Sequence, residues 1–265
     1  RLAGLAPILP LEGLIGRLPE RPARFKPPPI IMTGFEPFIL GEDWNSSTTI
    51  VKLFQEQYRN SKKPIPEMFF LPNLPSNIND SDKDARQIEE LIRVKCPNGA
   101  IILSLGEDLD IPSNIAARIE SQSRYAPTVE AFFPSPEFLT RWQLSDTLCL
   151  KLLKNINEDN HQKIFGPNSN VSVQLTIGED TATGSECEKL LTVMNELSWN
   201  QARKPKPIPI LPIFIHVPGK KQPDASTINV IRAVIQIATL YFEKYKDHPE
   251  EFVTRFAPEE LLTVN

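Results

Sequence analysis

The chain has 265 residues, of which 40% are hydrophobic and 23% charged, with a formal charge of −4. That composition supplies one large domain or two small ones with a real core, and so mild a charge gives no electrostatic basis for a nucleic-acid or acidic-membrane partner. No stretch offers the run of about 18 unbroken apolar residues that a membrane-crossing helix needs, so no membrane span is expected.

Residues 1–29 carry seven prolines and end in Pro27-Pro28-Pro29. Consecutive prolines exclude helix and favour extended polyproline conformations. This predicts a Pro-rich N-terminal arm, 1–29, set apart from a domain over 30–265. The arm's leucines (Leu2, Leu5, Leu9, Leu11, Leu14, Leu18) leave two readings: it packs on the domain or a neighbour, or it is a poorly ordered terminus.

From residue 30 strands and helices alternate. Ile30 to Thr33 is a short apolar strand. Thr48 to Tyr58 has helical spacing, with Ile50, Val51, Phe54 and Tyr58 on one face. Met68 to Leu71 is a second strand, and Asp82 to Val94 a helix. Ala100 to Leu105 is a continuous apolar run ending at Gly106, the pattern of a central parallel strand. Phe138 to Leu153 reads as helix, Val171 to Leu175 as strand and Glu188 to Leu197 as helix. Ile210 to Val217 is a strand, with Pro212 suited to its start. Ala225 to Tyr245 is a long apolar helix. The segments near 156–170 and 203–209 read as loops. This order predicts a single three-layer α/β/α domain around a mostly parallel sheet.

Cys96, Cys149 and Cys187 are odd in number and lack CxxC or Cys/His spacing. No disulfide framework, metal site or cofactor is suggested, and a reducing compartment, cytoplasm or organelle interior, is expected. Asn45-Ser46-Ser47 and Asn170-Val171-Ser172 match glycosylation sequons, triplets that chance readily supplies.

Two residues stand out by placement. Ser185-Glu186-Cys187-Glu188 has the form of a capping box. It makes Ser185 the N-cap and Cys187 the second helical residue, among unpaired N–H groups at the positive end of the helix dipole. That environment favours thiolate, and the same N–H groups suit a developing oxyanion. Glu186 and Glu188 oppose it. Phe214-Ile215-His216-Val217-Pro218 is a strand ending in a histidine. Parallel strand ends and helix N-termini share one rim of a sheet, so Cys187 and His216 are placed together as a candidate nucleophile and base. The plainer reading is a small residue at a helix start and a satisfied structural histidine. Cys149 sits on a helical apolar face, Cys96 in a turn, and His161 and His248 in polar segments. Glu107, Asp108 and Asp110 follow the strand ending at Gly106. They suit orienting a histidine, binding a cation, or forming a solvated loop.

Thr33-Gly34-Phe35-Glu36-Pro37-Phe38 resembles the opening motif of the pyroglutamyl peptidase I family, cysteine peptidases that remove N-terminal pyroglutamate. The resemblance recurs at Cys96-Pro97-Asn98-Gly99 through Gly106, around Cys187, and at Phe214 to Pro218, over roughly residues 30–245. It implies Cys187 as nucleophile, His216 as base, Phe35 and Phe38 against the pyrrolidone ring, a peptide with N-terminal pyroglutamate as substrate, and homo-oligomers as a family habit. The chain departs from the family around the cysteine, where Thr183, Ser185, Glu186 and Glu188 replace a glycine, an aromatic, an apolar residue and an asparagine. The family's glutamate loop is not recognisable. Counting without gaps puts Ala117 at the glutamate, whereas matching Ala117-Arg118-Ile119 to a later family stretch leaves only Glu107, Asp108 or Asp110 nearby. Two functions follow: a pyroglutamyl peptidase-like hydrolase, impaired if the carboxylate is gone, or an inactive relative that binds a protein partner through its arm.

Overall fold

The computed structural model describes residues 27–37, 43–61, 66–74, 81–123, 141–176 and 186–256. The expected arm therefore lies outside the described residues, apart from 27–29. Strand β1 (Ile30–Phe35) leads to helix α1 (Ser46–Asn60), β2 (Met68–Leu74), α2 (Ser81–Lys95) and β3 (Ala100–Asp108). Next come β4 (Ile115–Glu120), β5 (Gln122–Ser123), β6 (Arg141–Leu144), α3 (Asp146–Lys154), α4 (His161–Phe165) and β7 (Ser172–Thr176). The described chain closes with α5 (Glu186–Ala202), β8 (Ile210–Pro218), α6 (Ala225–Tyr245) and β9 (Val253–Phe256).

Six strands form the main sheet in the order β2-β1-β3-β8-β4-β7, and β5-β6-β9 form a small antiparallel sheet. The strands of the main sheet pair in parallel except β4 with β8. Successive side chains of a strand point to opposite faces, and the core divides accordingly. Ile30, Met32, Ile101, Leu103, Leu211, Ile213 and Ile215 pack with α1, α3 and α6. Ile31, Phe35, Ile102, Ile210 and Phe214 pack with α2 and α5 on the other face. This is the expected three-layer α/β/α domain.

The junction of β1 and α1 shows what the Thr33-Gly34-Phe35 motif does locally. A Cβ on Gly34 would lie 2.9 Å from the Ser47 carbonyl carbon and 3.0 Å from the Thr48 nitrogen, so only glycine lets the strand abut the helix start. Asn45 caps α1, accepting from the Ser47 N–H at 2.8 Å. The Phe35 N–H donates to Ser47 Oγ at 3.0 Å, and the Thr48 hydroxyl sits between the carbonyls of Phe35 and Pro72. Asn45 is fully buried in this cap; that sequon is a capping motif, not a modification site.

Three expectations are corrected. Arg141–Leu144 is a strand, not the front of a helix, because it pairs with Val253–Phe256 far along the chain. Its Trp142 is buried and meets Trp199 of α5 edge-on at 6.0 Å. Within the expected loop 156–170, residues Asn155–Asp159 continue α3 as a π turn and His161–Phe165 form α4. Ile156, Ile164 and Phe165 are buried there, so apolar anchoring overrides the polar composition. β4 is a strand that the sequence reading omitted. Pro212 is third in β8, and β4 pairs only from Phe214 onward, so the missing N–H is tolerated. Helix α6 is long and apolar enough to cross a membrane by length and composition, yet 78% of its apolar window is buried inside the molecule, as in a core helix.

Candidate active site

β3 and β8 run parallel, so their C-terminal ends reach one rim, with Gly106 opposite His216. Cys187 is the second residue of α5, the position the capping pattern predicts, and is 8% exposed. Ser185, the expected N-cap, lies outside the described residues. A Cβ built on Gly106 would stand 2.9 Å from each of Cys187 Sγ, His216 Cδ2 and Phe214 Cε1. Sulfur and imidazole thus converge on one point, close enough for Cys187 to act on the imidazole. The sequence reading placed these two together, and the structure does the same.

The second imidazole nitrogen is also engaged. His216 Nδ1 lies 2.6 Å from Glu120 Oε1. Glu120 is 3% exposed. In β4, Ala117 and Ile119 face the opposite core, which leaves Arg118 and Glu120 on the face of His216. In the antiparallel register Arg118 stands opposite His216 and Glu120 opposite Phe214, so Glu120 reaches its partner diagonally. Cys187, His216 and Glu120 thereby line up as sulfur, imidazole and carboxylate. Burial alone would lower the imidazole pKa. Its interactions with Cys187 and Glu120 outweigh that penalty and raise it to about 10.

The sequence reading missed Glu120, having left only Glu107, Asp108 or Asp110 as nearby carboxylates. The carboxylates proposed instead are spent elsewhere. Glu107 Oε2 accepts the Ser46 N–H at 2.6 Å, at the positive end of α1. Asp108 Oδ2 takes Arg118 Nη1 at 2.8 Å, and its Oδ1 accepts the Asp110 N–H at 2.8 Å. Ala117, the ungapped candidate, is fully buried in the core of the opposite face. Gly106, read as a strand terminator, is the second omission: it is the floor on which the reactive groups meet.

Phe35 is 1% exposed and packs in the same core layer as Cys187. Its ring centroid is 6.4 Å from that of Phe214, which is 5.1 Å from that of His216. Phe38 lies outside the described residues. The remaining cysteines are buried away from the rim. Burial and the nearby Glu67 push the Cys96 thiol up to about 11, and burial and Asp146 push Cys149 up to about 12. Among the described residues no group of three or more His, Cys, Asp or Glu side chains could hold a metal ion.

No family model and no curated protein matches the chain. Solved structures do. A pyrrolidone carboxyl peptidase from Thermococcus litoralis superposes with a TM-score of 0.52 at 17% identity, covering 82% of this chain and 96% of its own. Pyroglutamyl peptidase I from Bacillus amyloliquefaciens gives 0.52 at 17% identity, covering 84% and 97%. The chain has the pyroglutamyl peptidase fold. Identity this low carries the architecture and not the activity. On this pyroglutamyl peptidase-like scaffold, Glu188 follows Cys187 and is 4% exposed. The altered residues Thr183 and Ser185 lie outside the described residues.

Proposed function

We propose that the chain is a pyroglutamyl peptidase-like cysteine hydrolase that removes N-terminal pyroglutamate from peptides. The observation that carries this reading is the continuous line from Cys187 through His216 to the buried Glu120. Thiolate is the nucleophile. Sγ attacks the pyroglutamyl carbonyl, and backbone N–H groups at the start of α5 receive the oxyanion. The C–N bond breaks as His216 Nε2 gives its proton to the leaving amine. Water then attacks the thioester carbonyl, losing a proton to His216, and the C–S bond breaks to release pyroglutamic acid with return of the thiolate. Glu120 holds the ring with Nε2 turned to sulfur and stabilises its charge. Phe35 serves as a closed apolar wall behind the ring pocket. Three free cysteines suit a reducing compartment.

Fluorogenic amides test the substrate. Pyroglutamyl aminomethylcoumarin is expected to release its dye about 10²-fold or more faster than the prolyl analogue, which lacks the lactam carbonyl, because a site built to hydrogen-bond a group discriminates strongly against its absence. Equal release of both, or of neither, contradicts the assignment.

A further inference from the structure

The mouth of the site holds an ion pair that the reaction above does not use. Even-numbered residues of β3 share the face on which Gly106 meets Cys187 Sγ, and this places Asp108 one step outward from the sulfur. Arg118 stands opposite His216 on the same face and reaches over the end of β8 to Asp108, at 2.8 Å. The two side chains keep 27% and 21% exposure, so the pair borders solvent.

The pair is unequal in its spare capacity. Both Asp108 oxygens are taken, one by Arg118 and one by the Asp110 N–H. A guanidinium offers five N–H donors in a fixed fork. Among the described residues only Asp108 accepts from Arg118. What this edge of the site presents is therefore spare guanidinium N–H donors beside an Asp108 whose oxygens are both taken, and a carboxylate is an acceptor that fits their fork.

The geometry points to Arg118 as a specificity-determining residue that selects pyroglutamyl substrates bearing a carboxylate just beyond the scissile bond. The inference rests on the hydrolase reading above. The pyroglutamyl carbonyl must sit at Sγ, so the leaving residue lies outward, toward Arg118. Two sources supply the group: an aspartate or glutamate side chain following pyroglutamate, or the free terminus of a dipeptide.

Calorimetric binding to the full chain carrying Cys187→Ser separates these cases. The probes are pyroglutamyl-glutamine amide, pyroglutamyl-glutamate amide and pyroglutamyl-glutamine with a free carboxyl terminus. At least one of the two anionic peptides is expected to bind about tenfold tighter than the neutral one, the gain of a charge-assisted hydrogen bond. Which one does so identifies the source. The preference should shrink severalfold in about 0.5 M salt, because the mouth is exposed. Adding Arg118→Gln should erase it. Equal affinities, a salt-independent preference, or a preference that survives Arg118→Gln overturns the inference alone. If Arg118→Gln fails to fold, the salt series on the Arg118 protein decides. Absence of binding by all three peptides overturns the inference and the pyroglutamyl reading together.

Discussion

Replacing Cys187 with alanine is expected to lower kcat/KM for a pyroglutamyl amide by about 10⁴-fold or more, and Glu120→Gln by about 10²- to 10⁴-fold. The glutamine keeps the shape and one acceptor oxygen at the 2.6 Å contact with Nδ1 but drops the charge. Members of such a line act as one unit, so the double variant should be no slower than Cys187→Ala. The pH profile gives a second readout. With the imidazolium held to about pH 10, the alkaline limb of kcat/KM should fall in that region. A carboxylate beside an imidazolium stabilises the charged form and raises its pKa. Its removal lowers that pKa, and the limb of Glu120→Gln should move toward neutrality. A Glu120→Gln enzyme with an unchanged rate and limb would show that the carboxylate contact has no role in turnover.

Gly106→Ala is expected to remove nearly all activity while the chain still folds. The new methyl would lie 2.9 Å from Sγ, from the imidazole edge and from the Phe214 ring at once. None can yield alone: Cys187 is packed in the core, His216 is held by Glu120, and Phe214 is 1% exposed. Overpacking of this kind costs about 1–3 kcal/mol of stability. A displacement of about 1 Å at the reacting atoms is enough to cost about 10²-fold in rate. Denaturant unfolding and kcat/KM measured on the same sample separate the two effects. Full activity in Gly106→Ala would mean that the sulfur and imidazole do not meet where the structure puts them.

The residues that were legible in the sequence are those whose signals are local. The continuous apolar runs of β3 and β8 and the helical stripe of α6 each state their own conformation. Cys187 and His216 could be placed on one rim because parallel strands and helix starts share that edge. Glu120 gave no such signal. Ile115–Glu120 reads Ile-Ala-Ala-Arg-Ile-Glu, short and rich in helix formers, and it becomes a strand only by pairing with β7 and β8. Its contact with His216 spans 96 residues. A faint clue existed: apolar Ala117 and Ile119 alternate with charged Arg118 and Glu120, a period of two that puts both charges on one face. Arg141–Leu144 was missed for the same reason, since its partner strand is the last described element. Gly106 was visible as a strand end, but its closeness to three side chains from two other elements is tertiary information. Counting along the family's motif led to Ala117 or to Glu107, Asp108 and Asp110. The structure supplies the carboxylate three residues beyond Ala117, on the face of β4 turned to His216, and Glu107 and Asp108 instead cap a helix and pair with an arginine.

Alkylation by iodoacetamide near pH 6 tests most directly whether Cys187 is activated by His216. Cys96 and Cys149, held up at about 11 and 12, stay protonated and buried at that pH. Rates read by mass spectrometry should show Cys187 modified at least about 10²-fold faster than either, with the excess lost in His216→Gln. A single slow rate shared by all three thiols, unchanged by His216→Gln, would contradict the account.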